Sequence, residues 1–551
     1  MTASSRVHWW TTLALAGVGS LLLAVFLGPR RSLPVMPRAA GDGNVLRIAC
    51  IQRLMPDPHV RTFPLPAQNQ FILGLWEPLI ECDPETGQPR PAAAESWEWS
   101  EDRLVLTLKL RADGRWSNGE PVKAQDFVRG WRRLLHQSME LASTLFPLKN
   151  AEAFYRGQVT DPAKVGVTAV DDRTLRLTLA GVRSTLVSEL ADPLLAPMHE
   201  STAAVLKEQG FWRHPEKLLG NGAFSLERAG PEGFRLRASP HYHDRAAVRL
   251  AGAEFIRVDN PSMAQLLVAA GRVDMMAPVQ SGDPAEAPTN RCVTEASEMA
   301  LQVTTLDLNV THGPLQDLRV RRALSLALDR AGSIQAQDSE NVVPAFAWVP
   351  DMPGRPGLTL LKENAAEARR LLAEAGYPGG RGFPVLVLPV APAWPRYSYV
   401  QTWTERWYRE LGIRTYLAFD KDLERRRRMA SDEYDIFYNG LLATVPDAGD
   451  MLATFALPAV YNATHWESPE VNRLLALADC KAGPERLALL EQVERTVMDA
   501  VPTIPTMFAR RRTLLAIEVD GWYADPLGRQ SLKRLSIRPL PHDHPVGRAP
   551  L

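Results

Sequence analysis

Cysteine is scarce in this chain: four thiols in 551 residues, Cys50, Cys82, Cys292 and Cys480. That number permits disulfides without demanding them, and the spacing fits no zinc module. Two readings stay open for Cys50 and Cys82, which both lie in strand-like segments: a bridge between them, or buried free thiols. An excess of one charge is missing as well. Lys plus Arg and Asp plus Glu stand at 63 each, for a formal net charge of zero, and a nucleic-acid partner would call for a strong basic excess. Absent too are the catalytic signatures His-Glu-x-x-His, Gly-x-Ser-x-Gly, the P-loop and Gly-x-Gly-x-x-Gly, together with internal repeats and low-complexity blocks. No enzyme, cofactor or metal is expected, and His241, His243 and Asp244 suggest a metal only superficially. A hydrolase assembled from distant residues is the weakest functional reading.

What is present is the composition of an ordinary globular protein, 45% hydrophobic and 23% charged. Cores stop growing near about 250 to 300 residues, so at least two lobes are expected. Trp9 to Leu27 carry no charge, and Arg30 with Arg31 closes the run. At about 1.5 Å per residue such a helix approaches the roughly 30 Å hydrocarbon core. Residues 1–31 thus read either as an uncleaved anchor or as a signal peptide cut near Arg38-Ala39-Ala40-Gly41. Residues 32–44, with Pro34, Pro37, Gly41 and Gly43, read as a linker. Beyond it, strands near 45–50, 104–110, 174–179, 384–389, 413–418 and 434–440 mix with helices near 124–136, 186–191, 318–331, 364–375, 398–410 and 484–499, an α/β pattern.

Three stretches carry the strongest local signals. Arg115-Trp116-Ser117-Asn118-Gly119-Glu120-Pro121-Val122-Lys123-Ala124-Gln125-Asp126-Phe127 reads as a tight Asn-Gly turn, then a Pro exit, then a helix start with Asp126 in its first turn. Val320, Ala323, Leu324, Ala327 and Leu328 form one apolar helical stripe, with Arg319, Arg321, Arg322 and Asp329 off it. Asn364 and Glu367 have capping-box spacing, Ala368, Leu371, Leu372 and Ala375 form a buried stripe, and Gly376 with Pro378 supplies the stop. The first stretch resembles the signature of the family 5 extracellular solute-binding proteins, which include the oligopeptide- and dipeptide-binding proteins of ABC importers. Pro314 to Arg330, Glu367 to Pro378, and Leu219-Gly220-Asn221-Gly222-Ala223-Phe224 are similar to further hallmarks of that family. The resemblance runs from residue 45 to about residue 540. It departs at Lys123, where members usually carry Ser or Thr, so a helix cap is lost while Asp126 stays.

The resemblance implies a two-lobed periplasmic-binding-protein fold with an extra domain. Domain I would comprise 45–76, 200–290 and 505–545, domain II 77–199 and domain III 291–504, hinged around a cleft. It implies the substrate-binding protein of an ABC importer, a monomer in the periplasm or at the cell surface, tethered by residues 9–27. Such a protein captures a peptide or similar solute and hands it to a membrane permease. A membrane-anchored sensor or interaction protein reusing the fold is the alternative.

Cargo in such relatives is held through its main chain by strand addition. The corresponding strand here runs from Asp435 to Ala443, with Tyr438, Gly440, Leu441 and Leu442 as candidates, and Gly440 lets backbone approach without a Cβ. Thr62, Phe63 and Leu65, following Asp57, would form the opposite wall, and Arg396 could receive a carboxylate through its planar fork. Peptide-binding members then carry a Trp-x-Ala-Asp-Tyr element whose aspartate pairs with the α-ammonium of the cargo. Here Thr444 replaces the aspartate and Leu441 the tryptophan, and a hydroxyl cannot neutralise an ammonium. Either Asp447 or Asp450 reaches into the site, or the cargo lacks a free amino terminus. Trp116 reads more readily as packing, and Arg425 to Arg428 as a solvated helix face.

Overall fold

The computed structural model describes residues 44–538 except 52, 60–64, 84–85, 138, 208–213, 278, 281–292, 338–340, 353, 391–396, 421–423, 425–426, 430, 457–461, 524 and 526. The apolar run 9–27, nearly all of the 32–44 linker, Thr62, Phe63, Cys292 and Arg396 therefore lie outside the described residues. Among the described residues no helix is long and apolar enough to cross a membrane.

Two long strands organise the rest. Val293–Leu308 and Thr503–Ala516 pair antiparallel, with a register shift between Met299 and Val303. They sit inside a ten-stranded mixed sheet. Toward Ala516 the pair continues through Met275–Met276, Val45–Cys50, Gly252–Arg257, Gly233–Ala238 and Phe224–Gly230. Toward Thr503 it is flanked by Ile436–Leu442 and Val342–Pro344. The division expected at 504/505 thus falls within a continuous strand, which still pairs with Val342–Pro344 as far as Ala509. A strand can change neighbours along its length without any loop, which leaves no mark in composition.

Buried side chains show how the chain partitions. One core joins Leu46, Phe71, Leu108, Trp131, Phe224 and Leu535, drawn from segments far apart in sequence. Leu306, Leu324, Trp403 and Trp407 belong to a second, and Trp348, Met451, Leu474 and Val497 to a third, both from residues 301–508 except that Leu527 joins the third. A four-stranded antiparallel sheet, in the order Ala94–Trp99, Val105–Leu110, Thr174–Thr178 and Val167–Asp171, lies in the 77–199 stretch.

The motif stretches fold as their chemistry requires. Trp116 N–H donates to Glu120 O and Gly119 N–H to Trp116 O, with Gly119 at φ 91°. The lost cap is visible at Lys123, which sends its ammonium to Asp172 at 2.9 Å instead. Asp126 remains, accepting from Lys123 N–H at 2.9 Å and from Trp116 Nε1 at 3.2 Å, and so ties the turn to the helix Ala124–Leu134. Trp116 is buried in the first core. The helix expected over 318–331 is instead two, Leu318–Leu326 and Arg330–Ala336. They part at Asp329, which adopts φ 55° and caps the second by accepting from Gly332 N–H. Its short carboxylate tolerates the left-handed region better than most side chains. Arg321, off the apolar stripe, is nonetheless buried and donates to the carbonyls of Leu315, Gln316, Ala500 and Val501. Cys50 and Cys82 are free, so the bridge does not form, and burial raises both thiol pKa values.

Candidate functional site

The strand Ile436–Leu442 is built from apolar residues whose inward members, Ile436 and Tyr438, enter the second core. It pairs with Val293–Leu308 on one side, Gly440 opposite Thr304, and lies last in the sheet order. Among the described residues no strand is paired with its other edge, though just before it Asp435 N–H donates to Val387 O at 3.0 Å, so the edge is open at the Gly440 end. Gly440 N–H is not in the ladder: it donates to Asn439 Oδ1 at 2.9 Å. Asn439 Nδ2 is in turn fixed on Asp307 Oδ2 at 2.9 Å, and Asp307 is buried beneath the hydroxyls of Thr305 and Thr503. Ala443 N–H points the other way, to Leu301 O at 2.8 Å. Successive residues of a strand alternate in direction, so Gly440 and Leu442 turn their N–H and C=O groups away from Val293–Leu308. The Tyr438 ring, by contrast, is 1% exposed and packs toward Trp403 with ring centroids 6.4 Å apart. The Tyr438 ring is thus committed to the second core. Leu441 is partly buried against the third core and Leu442 half-buried.

Both carboxylates expected to replace the missing aspartate are already engaged. Asp450 accepts from Thr444 N–H at 2.6 Å and Thr444 Oγ1 at 2.9 Å, and burial raises its pKa despite these bonds. Asp447 takes a two-point contact from Arg486, 2.9 and 2.8 Å, and caps the helix Ala448–Leu452 through Gly449 N–H. Each carboxylate is thus committed to holding the loop itself.

The same loop touches the 77–199 stretch. Arg486 Nε donates to Ser184 Oγ at 3.2 Å, and that hydroxyl donates to Asp479 Oδ1 at 2.7 Å. Arg529 Nη2 donates to Thr444 O at 2.6 Å and Asp192 Oδ2 at 3.1 Å. In the stretch expected to form the opposite wall, Leu65 opens the helix Leu65–Leu75. Asp57 and His59 just before it are buried on Arg133, which reaches both Asp57 oxygens at 2.9 and 2.7 Å and His59 Nδ1 at 2.9 Å. Burial, aided by Arg133, depresses His59 to about 4, so the ring is neutral at pH 7.

Several residues of this region went unread in the sequence. Glu77 receives Tyr242 OH at 2.5 Å and His243 Nε2 at 2.8 Å, and Asn221 clamps its backbone through Glu77 N–H at 3.0 Å and Glu77 O at 2.9 Å. Burial pushes the Glu77 carboxyl up, but His243, Lys533 and Tyr242 outweigh it and the net shift is downward. The Asn-Gly-Ala-Phe motif gave the one usable signal. Its Gly222 lets the chain approach Leu75 so closely that a Cβ would lie 2.7 Å from that backbone. His243 is thus an anchor for Glu77, and among the described residues no group of three or more His, Cys, Asp or Glu is arranged to hold a metal ion.

Glu298 holds the returning C-terminal segment. It accepts from Asp525 N–H at 2.9 Å and Gln530 Nε2 at 3.0 Å, beside the buried Arg511. Burial pushes its carboxyl up to about 7, against the pull of Arg511. The folded state then binds this proton more tightly than the unfolded chain does. Its contribution is complete below the ordinary carboxylate value near 4.5 and is lost as pH rises toward 7. Conformational stability is expected to fall across that window by up to about 3 kcal/mol from this group. Glu298→Gln should flatten the trend in urea unfolding measured from pH 4.5 to 7.5; an unchanged slope would rule the group out.

Comparison with known proteins places this geometry. Residues 88–463 match the family described as "Bacterial extracellular solute-binding proteins, family 5 Middle". The "Probable deoxycholate-binding periplasmic protein" of Escherichia coli (strain K12) is 28% identical over 477 residues, covering 82% of this chain and 86% of the relative. The periplasmic oligopeptide-binding protein of Salmonella typhimurium is 26% identical over 551 residues, 96% of this chain and 98% of the relative. Among solved structures, the Escherichia coli murein tripeptide binding protein superposes with a TM-score of 0.73 at 24% identity, covering 91% of this chain and 99% of that one. Haemophilus influenzae OppA in complex with RPPGFSPFR gives 0.69 at 25% identity, covering 90% and 99%. With the matched segment spanning well over half of its length, the chain belongs to the bacterial extracellular solute-binding proteins of family 5.

Proposed function

We propose that this protein captures a peptide or peptide-like solute by adding the cargo's main chain as a strand to the open edge of Ile436–Leu442, and delivers it to an ABC permease. The observation that carries the reading is the Gly440 N–H, turned out of the ladder and parked on the Asn439 side chain, where an incoming carbonyl can replace it. Main-chain bonding gives affinity whatever the cargo side chains are. The oligopeptide-, dipeptide- and murein-tripeptide-binding relatives support the solute class. The charge-free run 9–27 supports a receptor tethered near its permease in the periplasm or at the cell surface, acting as a monomer.

Thr444 narrows the cargo. With Asp447 on Arg486 and Asp450 on Thr444 itself, the loop offers an α-ammonium no open carboxylate. The favoured cargo is therefore one without a free amino terminus, a reading that the relative named for deoxycholate, an acid without an amine, supports. Native mass spectrometry of the purified chain is expected to show a retained solute, released on denaturation as amino-blocked peptides or amine-free acids. Recovery of free-amine peptides alone would contradict the reading of Thr444.

A further inference from the structure

Beside the Thr444 loop lies a cavity of about 70 Å³, room for a group the size of a few waters. Its walls come from stretches remote in sequence: Trp76 and Glu77, Ala191, Pro446 of the loop, and Asp525, Arg529 and Lys533 of the returning C-terminal segment. Arg529 is the best-fixed of these groups. Its side chain is 9% exposed and its Nη2 is anchored on Thr444 O and Asp192 Oδ2. Its Nη1 is buried and, among the described residues, has no hydrogen-bond partner. Trp76 is 1% exposed, and its Nε1 is likewise buried without a partner. Two buried N–H donors on one small cavity carry an unmet demand for acceptors, since a donor left unsatisfied costs about 1 to 3 kcal/mol.

The acids on the same wall do not meet that demand, and each has a partner of its own. Glu77 is held by Tyr242 and His243, and Glu81 by Lys533 at 2.7 Å. Asp83 is held by Thr86 and by Arg90, and Asp525 accepts from Leu527 N–H at 2.7 Å. The remaining cation, Arg534, lies over the Tyr523 ring. What Arg529 Nη1 and Trp76 Nε1 lack, among the described residues, is an acceptor, and the one that most needs it is a charged guanidinium.

We propose that this cavity receives a carboxylate of the cargo, bound by Arg529 Nη1 and Trp76 Nε1. The proposal rests on the reading that the strand ending at Leu442 and the loop after it carry the cargo. It assigns the charge preference of that site: where an ammonium would find no open acid, a carboxylate finds a buried guanidinium already held in place. A charge-assisted bond of this kind is about twice as strong as a neutral one, so the preference should be large.

The test uses the full chain and a library of N-acetylated tripeptides lacking Asp and Glu, made once as free acids and once as carboxamides, so that the terminal carboxylate is the only one present. Affinity selection read by mass spectrometry is expected to enrich acids over the matching amides about 30-fold. Arg529→Gln should bring the two to within about threefold while amide binding persists. Because Arg529 also braces Asp192 and Thr444, Trp76→Phe serves as a second variant that removes the N–H, with the five-membered part of the indole, and leaves every contact of Arg529 in place. It should lower the acid preference about threefold to tenfold, with amide binding held within about threefold of wild type. Equal binding of acids and amides, or a preference that survives Arg529→Gln, would overturn the carboxylate assignment while leaving strand capture standing. Binding of neither library would overturn both.

Discussion

Gly440→Val is expected to weaken cargo binding about 30- to 100-fold while the protein folds normally. The position does not need glycine for its own conformation, since Gly440 is not among the glycines at positive φ. A Cβ there would meet nothing closer than Gln302 Nε2 and Val303 O, both at 3.7 Å, an ordinary contact distance. Valine is moreover a favourable strand residue, so the folded state tolerates the change. The cost falls on the partner strand. A branched side chain on the open face pushes the incoming main chain away from Gly440. Loss of about two main-chain bonds at roughly 1 kcal/mol each, with some steric penalty, gives about 2 to 3 kcal/mol. Calorimetry with the cargo released from the wild-type protein measures it, alongside a circular dichroism melt. Affinity within about threefold of wild type would show that cargo does not lie on this strand.

The largest loss of stability is expected from Glu494→Ala. Glu494 is fully buried in the helix Gly483–Ala500, where it accepts from Trp348 N–H at 2.9 Å, Val349 N–H at 2.8 Å and the buried Arg355. Removing it leaves a guanidinium and two amides in the interior without an acceptor. Breaking one partner out of such a pair costs about 3 to 5 kcal/mol. The damage lands in the third core, which also seats Ala443 and the helix Ala448–Leu452, the platform of the Thr444 loop. Trp348 packs edge-on to Phe455, ring centroids 4.6 Å apart, so tryptophan fluorescence during urea unfolding reports the change. A loss below about 1 kcal/mol would mean that water or a rearranged Arg355 replaces the carboxylate.

What could be read from the sequence was what is encoded locally. The Asn118-Gly119 turn, the Asp126 tie, the Asn364 cap and the apolar stripe Val320, Ala323, Leu324, Ala327 and Leu328 all depend on neighbours within a few positions. All of them are present in the fold. The open strand at Gly440 was legible for the same reason. Failures arise where the partner is distant. Arg321 sits off its helix stripe and yet is buried, because carbonyls near residue 500 come to meet it. Nothing local to Asp447 announced Arg486, which is folded in from another helix and takes both its oxygens. Arg529 gave no local signal at all: it lies in an irregular stretch, and only tertiary folding sets it between Asp192 and Thr444. Asp329 is a different case. Its helical pattern continues through residue 328, but a carboxylate that can cap the next helix stops it there.

Hydrogen–deuterium exchange at single-residue resolution over 436–442, with and without the retained cargo, tests strand capture most directly. Cargo paired to the open edge should slow exchange of the Gly440 amide at least tenfold, with Leu442 following, while Phe437 and Leu441, already in the ladder with Val293–Leu308, change little. Unaltered exchange at Gly440 in the saturated complex would contradict the account.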